Sequence, residues 1–137
     1  MRAAIVYNPS AGKGRGDAIA AATCSALSER GIDAELHATR GPKHATAIVR
    51  RVAPSVDIVV AVGGDGTVNE VANGLADAAA LRAVSPGAEG DPAPEGGPFA
   101  PRRRARLGIV PAGTVNVLAL ELGLPFQVDQ ACAVIAA

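Results

Sequence analysis

Aromatic residues and net charge are both scarce in this sequence, and each scarcity argues against a class of function. Phe, Tyr and Trp together make up 2% of the 137 residues. Proteins that bind single-stranded nucleic acid stack the bases on aromatic side chains, so this composition disfavours such a role. Basic and acidic residues balance at 13 each, so no overall field attracts nucleic acid. We therefore do not expect nucleic acid as a partner.

Cysteine, histidine and long apolar runs are also few. Cys24 and Cys132 lie far apart on Ala-rich stretches, where we interpret them as small buried hydrophobic residues. Neither His37 nor His44 lies in a metal-ligand pattern, and we interpret His44 as a residue at a helix start. No apolar run has the length of a membrane span, and the first run is too short for a signal peptide. We expect a reduced, cytosolic protein.

Several familiar site motifs are missing as well. The sequence has no G-x-x-x-x-G-K-[ST], and its GKGRG segment lacks the G-x-G-x-x-G spacing of dinucleotide-binding folds. It also has no G-x-S-x-G nucleophile elbow. A Walker-type phosphate loop, a Rossmann dinucleotide site and an α/β-hydrolase site are therefore disfavoured.

What the chain does contain is a regular alternation of strand and helix patterns. Its length and its 49% hydrophobic content suit one domain with a substantial core. The patterns predict strands over residues 3–8, 32–38, 57–62 and 105–113, and helices over 17–30, 45–53, 67–81, 114–122 and from 128 onward. Such alternation predicts an α/β fold with three layers, α/β/α, and a mostly parallel sheet.

Capping residues refine the predicted helix ends. Asp17 is a candidate N-cap for the first helix, and Gly31 is a candidate stop at its other end. Thr67 and Glu70 have the T-x-x-E spacing of a capping box, which predicts that the third helix begins at Thr67.

One segment interrupts this pattern. Residues 85–101, SPGAEGDPAPEGGPFAP, are rich in Pro, Gly and acidic residues, and we expect a mobile surface loop within an insertion at 85–104. The sequence RRRAR follows at 102–106. It could contact an anionic membrane or a phosphate, but a solvated charge cluster is the commoner situation.

Three glycine-rich turns each follow a predicted strand and lead into a helix: NPSAGKGRG, GGDGTVN and PAGTVN. In open parallel sheets, ligands bind outside the carboxyl ends of the strands, and the free amides of helix N-termini attract phosphate. G-T-V-N occurs in both the second and the third turn. We predict that these two turns together hold one polyphosphate nucleotide, the alternative being two well-capped turns without a shared ligand.

Charged residues in these turns suggest phosphoryl transfer. Asp65 stands among glycines in G-G-D-G, where it could hold Mg²⁺ or accept a proton from an attacking hydroxyl. Lys13 and Arg15 are candidates to neutralise phosphate charge, although a solvated loop lysine is common. We therefore regard Asp65, Lys13 and Arg15 as candidate catalytic residues.

The motifs NPSAGKG, GGDGTVNEVANGL and GIVPAGTVNVLALELGLP, in this order, resemble those of the diacylglycerol kinase and sphingosine kinase catalytic-domain family, particularly its bacterial lipid kinase branch. The resemblance spans nearly the whole chain apart from 85–104. It implies that residues 1–137 form a nucleotide-binding lobe similar to that of NAD kinase, and that a β-rich lipid-binding domain is absent from the chain. It also implies ATP and Mg²⁺ as cofactors, with transfer of the γ-phosphoryl group to a diacylglycerol-like or sphingoid hydroxyl.

The resemblance also implies a set of site residues. The nucleotide-binding candidates are Asn8, Thr39, Gly63, Gly64, Asp65, Gly66, Thr67, Val68, Asn69, Glu70, Gly113, Thr114 and Asn116. Asp65 would be the acidic residue of the catalytic centre and a metal ligand. Family members often have a small residue where Val115 stands and an acidic residue where Val117 stands.

Two other functions stay open at this point. An NAD kinase-like enzyme would share GGDG, and a catalytically inactive ATP-binding module would need no second domain. The sequence is also compatible with a homodimer and with peripheral contact at the inner face of the membrane.

Overall fold

The structure is a computed structural model that describes residues 1–84, 104–112 and 116–137, with the backbone alone at 82–84. The predicted mobile loop and the arginines at 102 and 103 lie outside the described residues. So do Gly113, Thr114 and Val115.

A parallel sheet of four strands forms the middle layer. The strands are β1 (Arg2–Tyr7), β2 (Asp33–Ala38), β3 (Ile58–Gly63) and β4 (Arg106–Pro111), and their order across the sheet is β2-β1-β3-β4. All three neighbouring pairs run parallel. The continuous apolar run of β3 is buried along its whole length, as a central strand with helices on both faces requires. The predicted α/β fold is confirmed.

Helices cover both faces of this sheet. In chain order they are α2 (Gly16–Glu29), α3 (His44–Val52), α4 (Asp65–Val84), α5 (Val117–Glu121) and α6 (Val128–Ala136), with a 3₁₀ turn at Ala53–Ser55. The element before them, α1 (Ala11–Gly14), is a single turn within the loop after β1, and Gly12 and Lys13 in it are not helical. One core packs α2 and α6 against side chains such as Ile5 and Val60. The other packs α3 and α4 against the alternate side chains, such as Val6 and Val59. Burying each such side chain contributes about 1.5–3 kcal/mol.

The ends of α2 show one correct and one incorrect prediction. Gly31 ends the helix as expected, with a φ of 77° and a hydrogen bond from its N–H to Ser28 O. The next residue, Ile32, donates its N–H to Leu27 O at 3.0 Å, which completes a Schellman motif. Asp17 is not the N-cap, because the helix begins at Gly16 and Asp17 lies in its first turn.

The start of α4 also differs from the prediction. The helix begins at Asp65 rather than Thr67, and its first backbone bond runs from Val68 N–H to Gly64 O at 3.1 Å. The Thr67–Glu70 capping box is not formed. Glu70 Oε1 instead accepts the backbone N–H of Lys43 at 2.7 Å, so a tertiary contact replaces the local one.

Close packing joins α3 to α4. A Cβ built at Gly74 would lie 2.7 Å from Val49 Cβ and 3.0 Å from Thr46 O, so only glycine allows the two helices to approach this closely.

The start of α3 at His44 confirms the predicted helix-start residue. Among the helices that the structure describes, none combines the length and apolar character needed to cross a membrane.

Candidate functional site

A cavity of about 830 Å³ lies where the chain changes direction across the sheet. From β1 the chain passes to β2 on one side, then crosses back to β3 on the other, so the loops after β1 and β3 diverge. The cavity falls within the size range of small-molecule sites. Its lining residues are Asn8, Pro9, Ser10, Ala11, Gly12, Lys13, Thr39, Arg40, Gly41, Pro42, Gly64, Gly66, Thr67 and Glu70.

The loop after β1 forms the first wall, and Asn8 organises it. The Asn8 side-chain oxygen accepts the N–H of Ser10 at 2.9 Å, while its backbone oxygen accepts the N–H of Ala11 at 3.0 Å. Gly12 and Lys13 then both have a φ of 61°. That conformation is unfavourable for lysine by about 1–2 kcal/mol, so the surrounding contacts must hold it.

The turn from Thr39 to Lys43 forms the second wall. Thr39 donates its N–H to Tyr7 O at 2.8 Å, which extends the pairing of β1 with β2. Arg40 donates its N–H to His44 Nδ1 at 2.8 Å, and Lys43 is held at a φ of 65° by its bond to Glu70. Hydrogen bonds donated by backbone N–H groups therefore fix both ends of this turn.

The N-terminus of α4 forms the third wall, through Gly64, Gly66 and Thr67. The first amides of this helix lack partners within it, and the 20-residue helix carries a partial positive charge at this end. A Cβ at Gly66 would meet no atom within 4 Å, so the backbone there is open to a ligand.

The charges around the cavity favour an anion. Within the described parts of the chain, neither Lys13 nor Arg40 takes part in an ion pair with an acidic side chain. The carboxylate of Glu70, the acidic residue among the lining side chains, already accepts the Lys43 N–H. Two free cations and a helix N-terminus therefore face the same space, an arrangement that suits phosphate groups.

Asp65 does not line this cavity. Its two carboxylate oxygens accept the backbone N–H groups of Val117 at 3.0 Å and Leu118 at 3.2 Å, at the start of α5. Within residues 1–84, 104–112 and 116–137, no three His, Cys, Asp or Glu side chains come together as a metal site. These residues therefore do not fit a magnesium site built by the protein alone, and the roles of Asp65 as base and metal ligand stay predictions.

Asn116 is likewise turned away from the cavity. Its side chain is 1% exposed, with Nδ2 donating to Gly63 O at 3.1 Å and Oδ1 accepting the Ala119 N–H at 3.1 Å as the N-cap of α5. The first Gly-Thr-Val-Asn, at 66–69, lies inside α4, whereas the second ends at a helix cap. The two asparagines of these identical tetrapeptides therefore have different roles, Asn69 within a helix and Asn116 as a helix cap.

The other predicted site residues fall into two groups, those that line the cavity and those that do not. Those that line it are Asn8, Lys13, Thr39, Gly64, Gly66, Thr67 and Glu70. Arg15 is exposed where α2 begins, Asn69 is exposed on α4, Gly63 ends β3, and the Val68 side chain is buried in the core. Arg40 is the cation that sequence reasoning missed. Its only signal was its place beside Thr39 in a turn between a strand and a helix.

Two arginines of the 102–106 cluster lie at the opposite end of the parallel strands from the cavity. Arg104 and Arg106 are exposed at the amino end of β4, whereas the cavity lies at the carboxyl ends of β1 and β3. These two arginines therefore do not serve as phosphate contacts in this cavity.

Comparisons with known proteins agree with the sequence motifs. The family model described as "Diacylglycerol kinase catalytic domain" matches residues 2–137. The chain is 32% identical to a diacylglycerol kinase of Bacillus subtilis strain 168 over 125 residues, which cover 90% of this chain and 34% of that protein. A diacylglycerol kinase of Staphylococcus epidermidis is 32% identical over 135 residues, covering 98% and 35%.

A solved structure shows the same fold. The crystal structure of a diacylglycerol kinase from Bacillus anthracis superposes with a TM-score of 0.69 at 28% identity, covering 98% of this chain and 39% of that one. The chain thus spans about a third of the length of the curated relatives, which are 34% and 35% covered.

Proposed function

The chain belongs to the diacylglycerol kinase catalytic domain family, and on that basis we propose that it is the nucleotide-binding part of an ATP-dependent lipid kinase. In the proposed reaction the γ-phosphoryl group of ATP passes to the hydroxyl of a diacylglycerol-like or sphingoid lipid. The observation that carries the proposal is the cavity at the switch point of the sheet, with its free cations and helix N-terminus.

The walls of the cavity suggest where the phosphates bind. Gly64 and Gly66 leave the first amides of α4 accessible, and Lys13 and Arg40 stand around the same space without acidic partners. Phosphoryl transfer depends mainly on positioning and charge neutralisation, which these groups supply. We place the phosphates of the nucleotide against this part of the cavity, with Asn8 and Thr39 holding the loops around it.

We attribute only part of the proposed reaction to residues of this chain. The bond between the γ-phosphorus and the β–γ bridging oxygen breaks, and a bond forms between that phosphorus and the lipid oxygen. The lipid hydroxyl releases a proton to a general base; the sequence predicts Asp65 for this role, and the experiments on Asp65 described below test it against a positioning role. Mg²⁺, when bound with the nucleotide, would neutralise phosphate charge.

A direct experiment compares binding and transfer on the same sample. Calorimetry with Mg-ATP measures binding, and assays with diacylglycerol, a sphingoid base and NAD measure phosphorylation. We expect ATP to bind with a Kd in the micromolar to millimolar range. We expect a lipid to be phosphorylated when the protein tested includes any further domain that the gene encodes. Phosphorylation of NAD alone would favour an NAD kinase-like enzyme, and binding without transfer would favour an inactive nucleotide-binding module.

A lipid kinase has to reach its substrate at a membrane surface. We propose that the protein is cytosolic and meets the inner face of the membrane peripherally. Co-sedimentation with anionic vesicles tests this step, and the absence of any vesicle-bound fraction would contradict it.

A further inference from the structure

A set of hydrogen bonds joins the turn after β3 to the start of α5, and we call it the clasp. It consists of the Asp65 carboxylate, the N–H groups of Val117 and Leu118, and the Asn116 side chain with its partner Gly63 O. Asp65, just before the first Gly-Thr-Val-Asn, accepts hydrogen bonds from the start of α5, the helix that follows the second. Asn116, the last residue of the second Gly-Thr-Val-Asn, donates back to Gly63 O, so the end of β3 and the start of α5 are joined in both directions.

The clasp is connected to the cavity through the end of β4. Gly63 O accepts both the Ala112 N–H at 3.0 Å and the Asn116 amide at 3.1 Å. The carbonyl oxygen of Ala112 lies 2.9 Å from where a Cβ of Gly12 would be, so it touches the loop that carries Lys13. A shift of α5 would therefore move the backbone that supports the first wall of the cavity.

We propose that Asp65 is a positioning residue: with Asn116, it holds α5 in place, and the nucleotide site depends on that placement. This inference rests on the proposed function, because it takes the cavity to be a nucleotide site. A positioning role differs from the role of a base or a metal ligand, because those two roles require the carboxylate to face the phosphates or the metal. Here both carboxylate oxygens are engaged by α5.

Binding of metal-free ADP in EDTA separates these roles by the sign of the effect. A carboxylate that faces the phosphates repels them when no metal is present, so Asp65→Ala would leave ADP binding unchanged or make it tighter. Loss of the clasp instead weakens binding, by about tenfold if it removes about 1.4 kcal/mol. Asp65→Asn keeps one acceptor oxygen, and we expect its affinity to lie between those of wild type and Asp65→Ala.

Hydrogen exchange tests the clasp without any nucleotide. Asp65→Ala should speed exchange at the Val117 and Leu118 amides, and Asp65→Asn should do so less. Glu121→Gln, which removes an exposed carboxylate from the same helix, is the matched control and should change neither exchange nor ADP affinity.

A double-mutant cycle completes the test. Because Asp65 and Asn116 act through the same helix, the combined Asp65→Ala and Asn116→Ala variant should weaken ADP binding by less than the product of the two single effects. Unchanged or tighter ADP binding by Asp65→Ala would overturn the inference, as would unchanged exchange. If the wild type itself fails to bind nucleotide, the proposed function fails, and the exchange data still decide whether the clasp exists.

Discussion

Replacing Gly66 by alanine should raise stability and lower nucleotide affinity at the same time. Gly66 lies in the first turn of α4, and an added Cβ would meet no protein atom within 4 Å. Alanine is a better helix former than glycine, so the change should stabilise the fold by about 0.4–1 kcal/mol. The same methyl group would project into the space where we place the phosphates.

The expected magnitudes can be measured in two assays. A gain of this size should raise the melting temperature by about 1–4 °C. The affinity for Mg-ATP should fall by about tenfold or more, because the methyl group blocks close approach to the amides of α4. Thermal melts and calorimetry on the same preparation give both numbers.

Gly74 in the same helix provides the control. Gly74→Ala gains the same helix propensity, but its Cβ would overlap Val49, and overpacking costs about 1–3 kcal/mol. It should therefore destabilise the fold and leave ATP affinity unchanged. Unchanged ATP affinity in Gly66→Ala would refute our placement of the phosphates, and lower stability would refute a helix start at Asp65.

Three further predictions follow from the described contacts. Lys13→Ala should weaken Mg-ATP binding by about tenfold, while Arg15→Ala, just outside the cavity, should leave it within about twofold; equal losses would contradict the assignment of Lys13. Glu70→Ala should weaken binding by releasing the Lys43 turn, whereas Glu70→Gln, which keeps the acceptor oxygen, should largely retain it. Burial raises the pKa of Cys132 from its ordinary 9.0, so the unfolded state releases this proton first as the pH rises. The free energy of unfolding in urea should therefore fall above about pH 9, and Cys132→Ala should reduce that slope; equal slopes would exclude Cys132 as its source.

The sheet could be predicted from the sequence because its strands are marked by local patterns. The buried run of β3 and the alternation in β2 appear directly in the residue letters, and both strands lie where they were expected. Gly31 ended its helix as predicted, because its left-handed conformation depends on the residue itself.

The errors arise where a side chain has a distant partner. Glu70 has the spacing of a capping box but binds Lys43, 27 residues away in sequence. Asn116 is the N-cap of α5 and donates to Gly63 O, 53 residues away in sequence, whereas Asn69 in the identical tetrapeptide lies exposed on α4. Arg40 reaches the cavity because the pairing of β1 with β2 carries the chain to that edge. No local pattern encodes such contacts.

The left-handed conformation of Lys13 and Lys43 has a consequence for variation in this chain. Both lysines occupy a backbone region that glycine and asparagine tolerate more easily. A library screened only for resistance to heat should therefore accumulate glycine or asparagine at these two positions. Survivors changed at position 13 would fold better but lose a cation that lines the cavity, so selection for heat resistance and selection for ligand binding would favour different residues there.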